Sequence, residues 1–141
     1  MLEDFLAYRL HRLADLVSRD FARVYRDQHG LSRPEWRTLS TLGQFGSMTA
    51  TAIGGHSAMH KTKVSRAVAE LERRRWLVRR SDPRDRRTEH LELSKAGLEV
   101  YRQLVPLARR FEDELLQRLA PSQRRSVVAA IEALEAAVDR D

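Results

Sequence analysis

Lys61, Thr62, Lys63, Ser65 and Arg66 stand close together in the stretch HKTKVSRAVAELE. Hydroxyls and long cationic side chains at this spacing suit one kind of chemistry, contacts to phosphate oxygens and to the edges of bases. Arg66 carries the planar fork that can grip a guanine with two hydrogen bonds, while Lys61 and Lys63 are point charges suited to phosphate. Further along, Arg84, Arg86 and Arg87 crowd the stretch DPRDRR around Asp85. Arginines projecting from a loop suit a narrow minor groove, where negative potential is enhanced. Asp85 fits this picture as a group that fixes an arginine side chain. Two plainer readings stay open: the first cluster as the charged solvent face of a core helix, and the second as a solubilising turn.

The distribution of charge bears on that choice. The formal net charge is +6, with Lys and Arg together numbering 26 against 20 Asp and Glu. Residues 60–87 hold eleven of the basic residues and only four of the acidic ones, so the rest of the chain is close to neutral. A solvated surface predicts scatter, whereas one basic block is the footprint expected of a nucleic-acid contact. Arginine dominates, with only three lysines in the chain, which can partly reflect genomic composition.

Elements must position these groups. Leu2, Leu6, Leu10, Leu13, Val17, Phe21 and Val24 recur at steps of three and four, which predicts an amphipathic helix over 2–28 that stops at His29-Gly30. Ser32 fits the cap of a second helix, with Pro34 in its first turn and Glu35 at the positive end of its dipole. Gly43 and Gly46 are expected to end it. Thr49 caps a short third helix that meets Gly54-Gly55, and a turn near Ser57-Ala58-Met59 leads into a basic helix over 60–75. The inward set of that helix is Val64, Val68 and Leu71, which leaves the cationic cluster outside. Two short helices and a tight turn thus form a helix-turn-helix, the unit that places its second helix in the major groove. Strands over 76–80 and 90–93 frame the arginine-rich loop as a hairpin, or wing. Ser94 opens a long helix to about Leu119, and Pro121-Ser122 opens the last. The expected fold is mainly α, an α+β winged helix of six helices and a two-stranded wing.

The terminal helices are long for the small core between them. Their stripes, which include Leu6, Leu10 and Leu13 near the start and Phe111, Leu115, Val127, Ile131, Leu134 and Val138 near the end, need something to bury against. A second copy of the chain is the economical partner. A monomer whose first and last helices fold back on the centre is the alternative.

In this order and spacing the segments LSRPEWRTL, KTKVSRAVAELE, WLVRR, DPRDRR and HLELSKAG resemble the MarR family of bacterial transcriptional regulators. The resemblance covers essentially the whole chain, 1–141, as one domain. It implies a triangular homodimer, with 2–28 and 94–139 as dimerisation helices and 32–93 as the winged helix-turn-helix lobe. It also implies a pseudo-palindromic operator in double-stranded DNA. The family's Asp-x-Arg wing motif falls on Asp85 and Arg87, which makes Arg87 the minor-groove residue and Asp85 its orienting partner. Many members release DNA when a small aromatic or phenolic acid binds between the dimer helices and the lobe, and by position His11, Trp36 and His56 would line such a site. There are departures from the family pattern. His60 stands where Asp or Ser often caps the recognition helix, and Arg75 replaces a glycine, which disfavours a left-handed helix end.

Catalysis finds no support. There is no Gly-rich phosphate loop, no nucleophile elbow and no paired-carboxylate context, and the absence of cysteine excludes thiol chemistry and thiol-based sensing. His56 and His60 straddle a predicted turn, so neither a metal nor another cofactor is expected. The charged N-terminal stretch reads as neither signal peptide nor membrane span, which makes a cytoplasmic protein without a membrane partner the expectation. The function expected is a sequence-specific, ligand-responsive repressor and not an enzyme. The alternatives are a nonspecific architectural DNA-binding protein and a helical protein-interaction module.

Overall fold

The computed structural model describes residues 1–139. Two compact units divide the chain at Val105 and Pro106.

The first unit begins with a single 3-10 turn, Leu2–Asp4, followed by α1 (Leu6–His29). The helix expected over 2–28 is therefore interrupted at Phe5, which is extended and offers no side chain to cap either element. Gly30 ends α1 at φ 63°, and its amide donates to the Arg26 carbonyl at 2.7 Å. A backbone in that region favours glycine because a Cβ would crowd the following carbonyl. α2 (Arg33–Phe45) starts on a complete capping box. The Ser32 hydroxyl accepts from the Glu35 amide, and the Glu35 carboxylate accepts from the Ser32 amide, both at 3.3 Å.

Of the two glycines expected to end α2, Gly46 does so at φ 81°, while Gly43 lies inside the helix. A Cβ there would sit 2.5 Å from the Tyr101 ring, so the glycine is a packing position rather than a stop. α3 (Ala50–Ser57) is capped by Thr49, and Ala58 turns the chain at φ 53° into α4 (Lys61–Arg73). α2 packs on α4 and α3, and α3 on α4. This trihelical core buries Leu39, Leu42, Ile53, Val64, Val68 and Leu71.

The strands are β1 (Leu77–Ser81), shifted by one residue from expectation, and β2 (Glu89–Leu93), which starts one residue earlier and ends as expected. They pair antiparallel with Leu77 opposite Leu93 and Arg79 opposite Leu91. A third segment joins them: Met48, in the link between α2 and α3, exchanges both backbone hydrogen bonds with Leu91, at 2.9 and 2.7 Å. This non-local pairing ties the wing to the helices. α5 (Lys95–Gln117) opens on Ser94, whose hydroxyl accepts from the Gly97 amide at 3.1 Å.

Thr38 carries the one defect of the core among the described residues. It is fully buried, and its hydroxyl has no hydrogen-bond partner. Valine has the same shape without the unsatisfied group. Thr38→Val is expected to raise the unfolding free energy by about 1 kcal/mol, the lower part of the cost of a buried unpaired polar atom. Denaturant melts of the two proteins decide it.

The second unit holds the rest of α5 and α6 (Pro121–Val138). Pro106 lies inside α5 at the division and cannot donate to the carbonyl one turn back. The Gln123 side chain accepts from the Ala120 amide at 2.9 Å and opens α6. No described residue of this unit is buried, although Phe111, Leu115, Val127, Ile131 and Leu134 lie in its two helices. It has apolar stripes and no core of its own.

Candidate nucleic-acid interface

Helix α4 presents two faces of opposite character. Val64, Ala67, Val68 and Leu71 are buried, while Lys61, Thr62, Lys63, Ser65 and Arg66 are all exposed. The cap is unusual. His60 replaces a carboxylate or hydroxyl, and its ring Nδ1 accepts from the Thr62 amide at 3.3 Å. Imidazole therefore does here what the short polar caps do, at the long end of hydrogen-bond distance.

The far end of α4 departs from expectation. Arg75 adopts the left-handed conformation, φ 63°, that its side chain was expected to oppose. The surrounding bonds compensate for this. The Trp76 amide donates to the Leu71 carbonyl and the Arg75 amide to the Glu72 carbonyl, both at 2.9 Å, the pair that defines a Schellman end. The Ser94 hydroxyl adds a bond to the Arg75 carbonyl at 2.7 Å. Together these outweigh a conformational cost of about 1 kcal/mol.

Two aspartates build the wing tip. Asp82 accepts from the Arg84 amide at 2.8 Å through one oxygen and meets His90 Nε2 at 3.0 Å through the other. The His90 hydrogen bond, then the Arg84 amide, hold its carboxyl below the usual carboxylate range. Asp85 accepts from the Arg87 amide at 3.0 Å and from the Thr88 hydroxyl at 3.1 Å. Asp85 was expected to fix an arginine side chain. Instead it holds the backbone of Arg87, and the loop is shaped by main-chain bonds that leave the side chains at the tip out in solvent. Arg84, Arg86 and Arg87 are all exposed.

Three-dimensional structure sorts the basic block. Arg79 binds Glu72 of α4 at 2.9 Å and Glu89 of β2 at 2.8 Å, which fastens the wing to the helix. Arg80 pairs with Glu92 across the hairpin. Arg73 and Arg74 both bind Glu70, and in that order they lower its pKa to about 2. Lys61, Lys63, Arg66, Arg84, Arg86 and Arg87 form no ion pair among the described residues. The cations that remain open are those on the first turns of α4 and on the wing tip, together with Arg75 beyond the far end of α4. Arg74 and Arg79, which organise the rest, were not singled out from sequence; the spacing of Arg74 four residues after Glu70 was the available signal.

The three residues expected to line an effector site are not brought together. Trp36 stacks on Tyr25 with ring centres 5.6 Å apart and meets Phe21 edge-on at 5.4 Å, which makes it part of an aromatic core cluster. His56 stacks on Phe45 at 4.5 Å. His11 is exposed on α1, and ten residues of helix, about 15 Å at 1.5 Å per residue, separate it from Phe21. No group of three or more metal-ligating side chains occurs among the described residues, and no described helix is long and apolar enough to cross a membrane.

The MarR family model matches residues 29–88, the span from the end of α1 to the wing. The HTH-type transcriptional regulator YwoH of Bacillus subtilis (strain 168) is 27% identical over 111 residues, which cover 79% of this chain and 80% of that protein. The MarR family transcriptional regulator SPO1453 of Silicibacter pomeroyi DSS-3 is 27% identical, with a TM-score of 0.86 over 99% of this chain and 98% of that one. BpsR of Bordetella bronchiseptica, whose DNA binding is regulated by 6-hydroxynicotinic acid, shares the fold at 20% identity, with a TM-score of 0.81 over 100% of this chain and 98% of that one.

Proposed function

We propose that this chain is a MarR-family transcriptional regulator and not an enzyme, in line with the family-model match and the similar regulators, and that it acts as a homodimeric repressor. In this reading it binds a pseudo-palindromic operator in double-stranded DNA. Residues Lys61 to Arg66 enter the major groove, where Arg66 reads a guanine edge and the lysines contact phosphate. Arg87 enters the flanking minor groove, with Arg84 and Arg86 beside it on the backbone. One observation carries this reading: of the seven cations left without an ion pair in the basic block, six, all but Arg75, lie on the two elements that a winged helix offers to a duplex.

Dimerisation rests on apolar surface. Leu6 is 56% exposed, Leu13 58%, Ile131 49% and Val138 76%. A second unit without buried residues gains its core by packing against another copy. A small aromatic or phenolic acid is the class of effector proposed, in line with the ligand of BpsR. His11, Trp36 and His56 have separate neighbours within one chain, so a seat lined by them, as proposed, has to be completed by the second copy.

The deciding experiment is competition between a fragment of the protein's own promoter and random DNA at a fixed, stated salt concentration. The promoter fragment is expected to bind at least about a thousandfold more tightly, the lower bound for specific recognition. Equal affinities would instead mark a nonspecific architectural protein. No shift with either DNA would leave a protein-interaction module.

A further inference from the structure

We infer that Arg74 is the residue that positions the reading helix relative to α1, and thereby sets which half-site spacing the dimer accepts. This rests on the dimeric DNA-reading role proposed above.

Arg74 closes α4, and its guanidinium is used on nearly every edge. One terminal nitrogen donates to the His29 carbonyl at 2.6 Å and the other to the Gly30 carbonyl at 2.9 Å. These are the last residue of α1 and its left-handed cap. The Nε donates to Glu70 at 3.0 Å, and Glu35, the partner in the cap of α2, lies 3.6 Å away. The flat face of the group rests 5.1 Å from the centre of the Trp76 ring, which the His29 ring meets edge-on at 5.9 Å. One side chain thus holds the exit of α1, the entry of α2, the end of α4 and the residue that leads into β1.

The chemistry explains why this position uses arginine. The C-terminus of α1 carries partial negative charge and unpaired carbonyls, which a cation satisfies. A planar fork spans two carbonyls and a carboxylate at once; a lysine ammonium on a flexible stem does not. The backbone packing of α4 is against α2 and α3, with α1 not closely packed along it. Arg74 therefore supplies a direct hydrogen-bonded link between α1 and α4, across 45 and 44 residues of sequence.

The lever is long. The thirteen residues of α4 place the reading turn about 20 Å from this anchor at 1.5 Å per residue. A tilt of roughly 5° about the anchor shifts that turn by about 1.7 Å, and two protomers together by about 3.4 Å, one base-pair step.

The test uses Arg74→Met and Arg74→Lys in the full chain, with folding checked by circular dichroism. Affinity is measured for the promoter operator and for versions with one base pair added or removed between the half-sites. The parent protein is expected to lose at least about tenfold per step, the scale of a lost base contact. Arg74→Met is expected to lose less than threefold, and Arg74→Lys to fall between the two. The chain has no cysteine, so Lys63→Cys carries one spin label per protomer. The label-to-label distance distribution, read without DNA, is expected to broaden by about 3 Å in Arg74→Met, the shift given by the lever above. Unchanged spacing preference and unchanged distribution in a folded Arg74 variant overturn the inference. If Arg74→Met does not fold, the same two readings on Arg74→Lys decide it. A parent protein that ignores spacing refutes the DNA-reading role, while the label distances still decide what Arg74 does. A parent protein with no label-to-label distance is a monomer, and the inference falls with the dimer.

Discussion

Arg66→Ala is expected to weaken binding to the operator by about 1–3 kcal/mol, which is the discrimination of one two-pronged contact to a base. The residue stands one turn in from the start of α4, exposed, with no ion pair to release when DNA arrives. Its loss should therefore fall on recognition and leave stability nearly untouched, as for other surface substitutions. Footprinting should show relaxed preference at a single base. Lys63→Ala is the informative contrast. A phosphate contact weakens all sequences alike and lowers the salt dependence by about one unit of slope. If operator affinity is unchanged in Arg66→Ala, Arg66 does not read the base.

The second large effect concerns Gly97, at the start of α5. A Cβ at this position would lie 2.0 Å from the Trp76 carbonyl oxygen and 2.9 Å from its carbon. Both atoms are backbone and cannot swing away. The same carbonyl accepts from the Ser94 amide at 3.0 Å, so moving it breaks the cap of α5 and the base of the wing together. Gly97→Ala is expected to cost more than about 3 kcal/mol, beyond the usual range for an overfilled core. That is a large share of a typical domain's stability of about 5–15 kcal/mol. Gly55 is the control. A Cβ there meets nothing within 4 Å, and the residue lies inside α3. Gly55→Ala should gain up to about 1 kcal/mol from helix propensity. Thermal melts of both variants test the pair; equal and small effects would refute the close approach at Gly97.

These predictions differ in how far they could be seen in advance. The caps at Ser32, Thr49 and Ser94 were legible because each is a bond between residues three apart. The alternation of faces on α4 was legible for the same reason, since helical period fixes which side chains share a side. Gly43 was misread as a helix stop because its reason for being glycine, the Tyr101 ring, lies far along the chain. Arg75 was misread because propensity opposed a left-handed turn that the bonds from Ser94 and within the helix end support. The pairing of Met48 with Leu91 left no local trace at all. Asp85 was rightly placed at the wing tip, but local pattern does not distinguish a carboxylate that binds a side chain from one that binds the backbone.

What the amino-acid order determined by itself was the set of helices, the hairpin between them and the concentration of positive charge on α4 and the wing. Each follows from forces acting within a few residues: period, capping and turn chemistry. Only the tertiary structure decided which of those charges stay open. Arg79 is neutralised from two elements at once and Arg74 is committed to a corner 45 residues away, while Arg66 and the arginines at the wing tip keep no acidic partner. The physical reason is that an ion pair depends on distance in space, and the chain sets that distance only after it has folded.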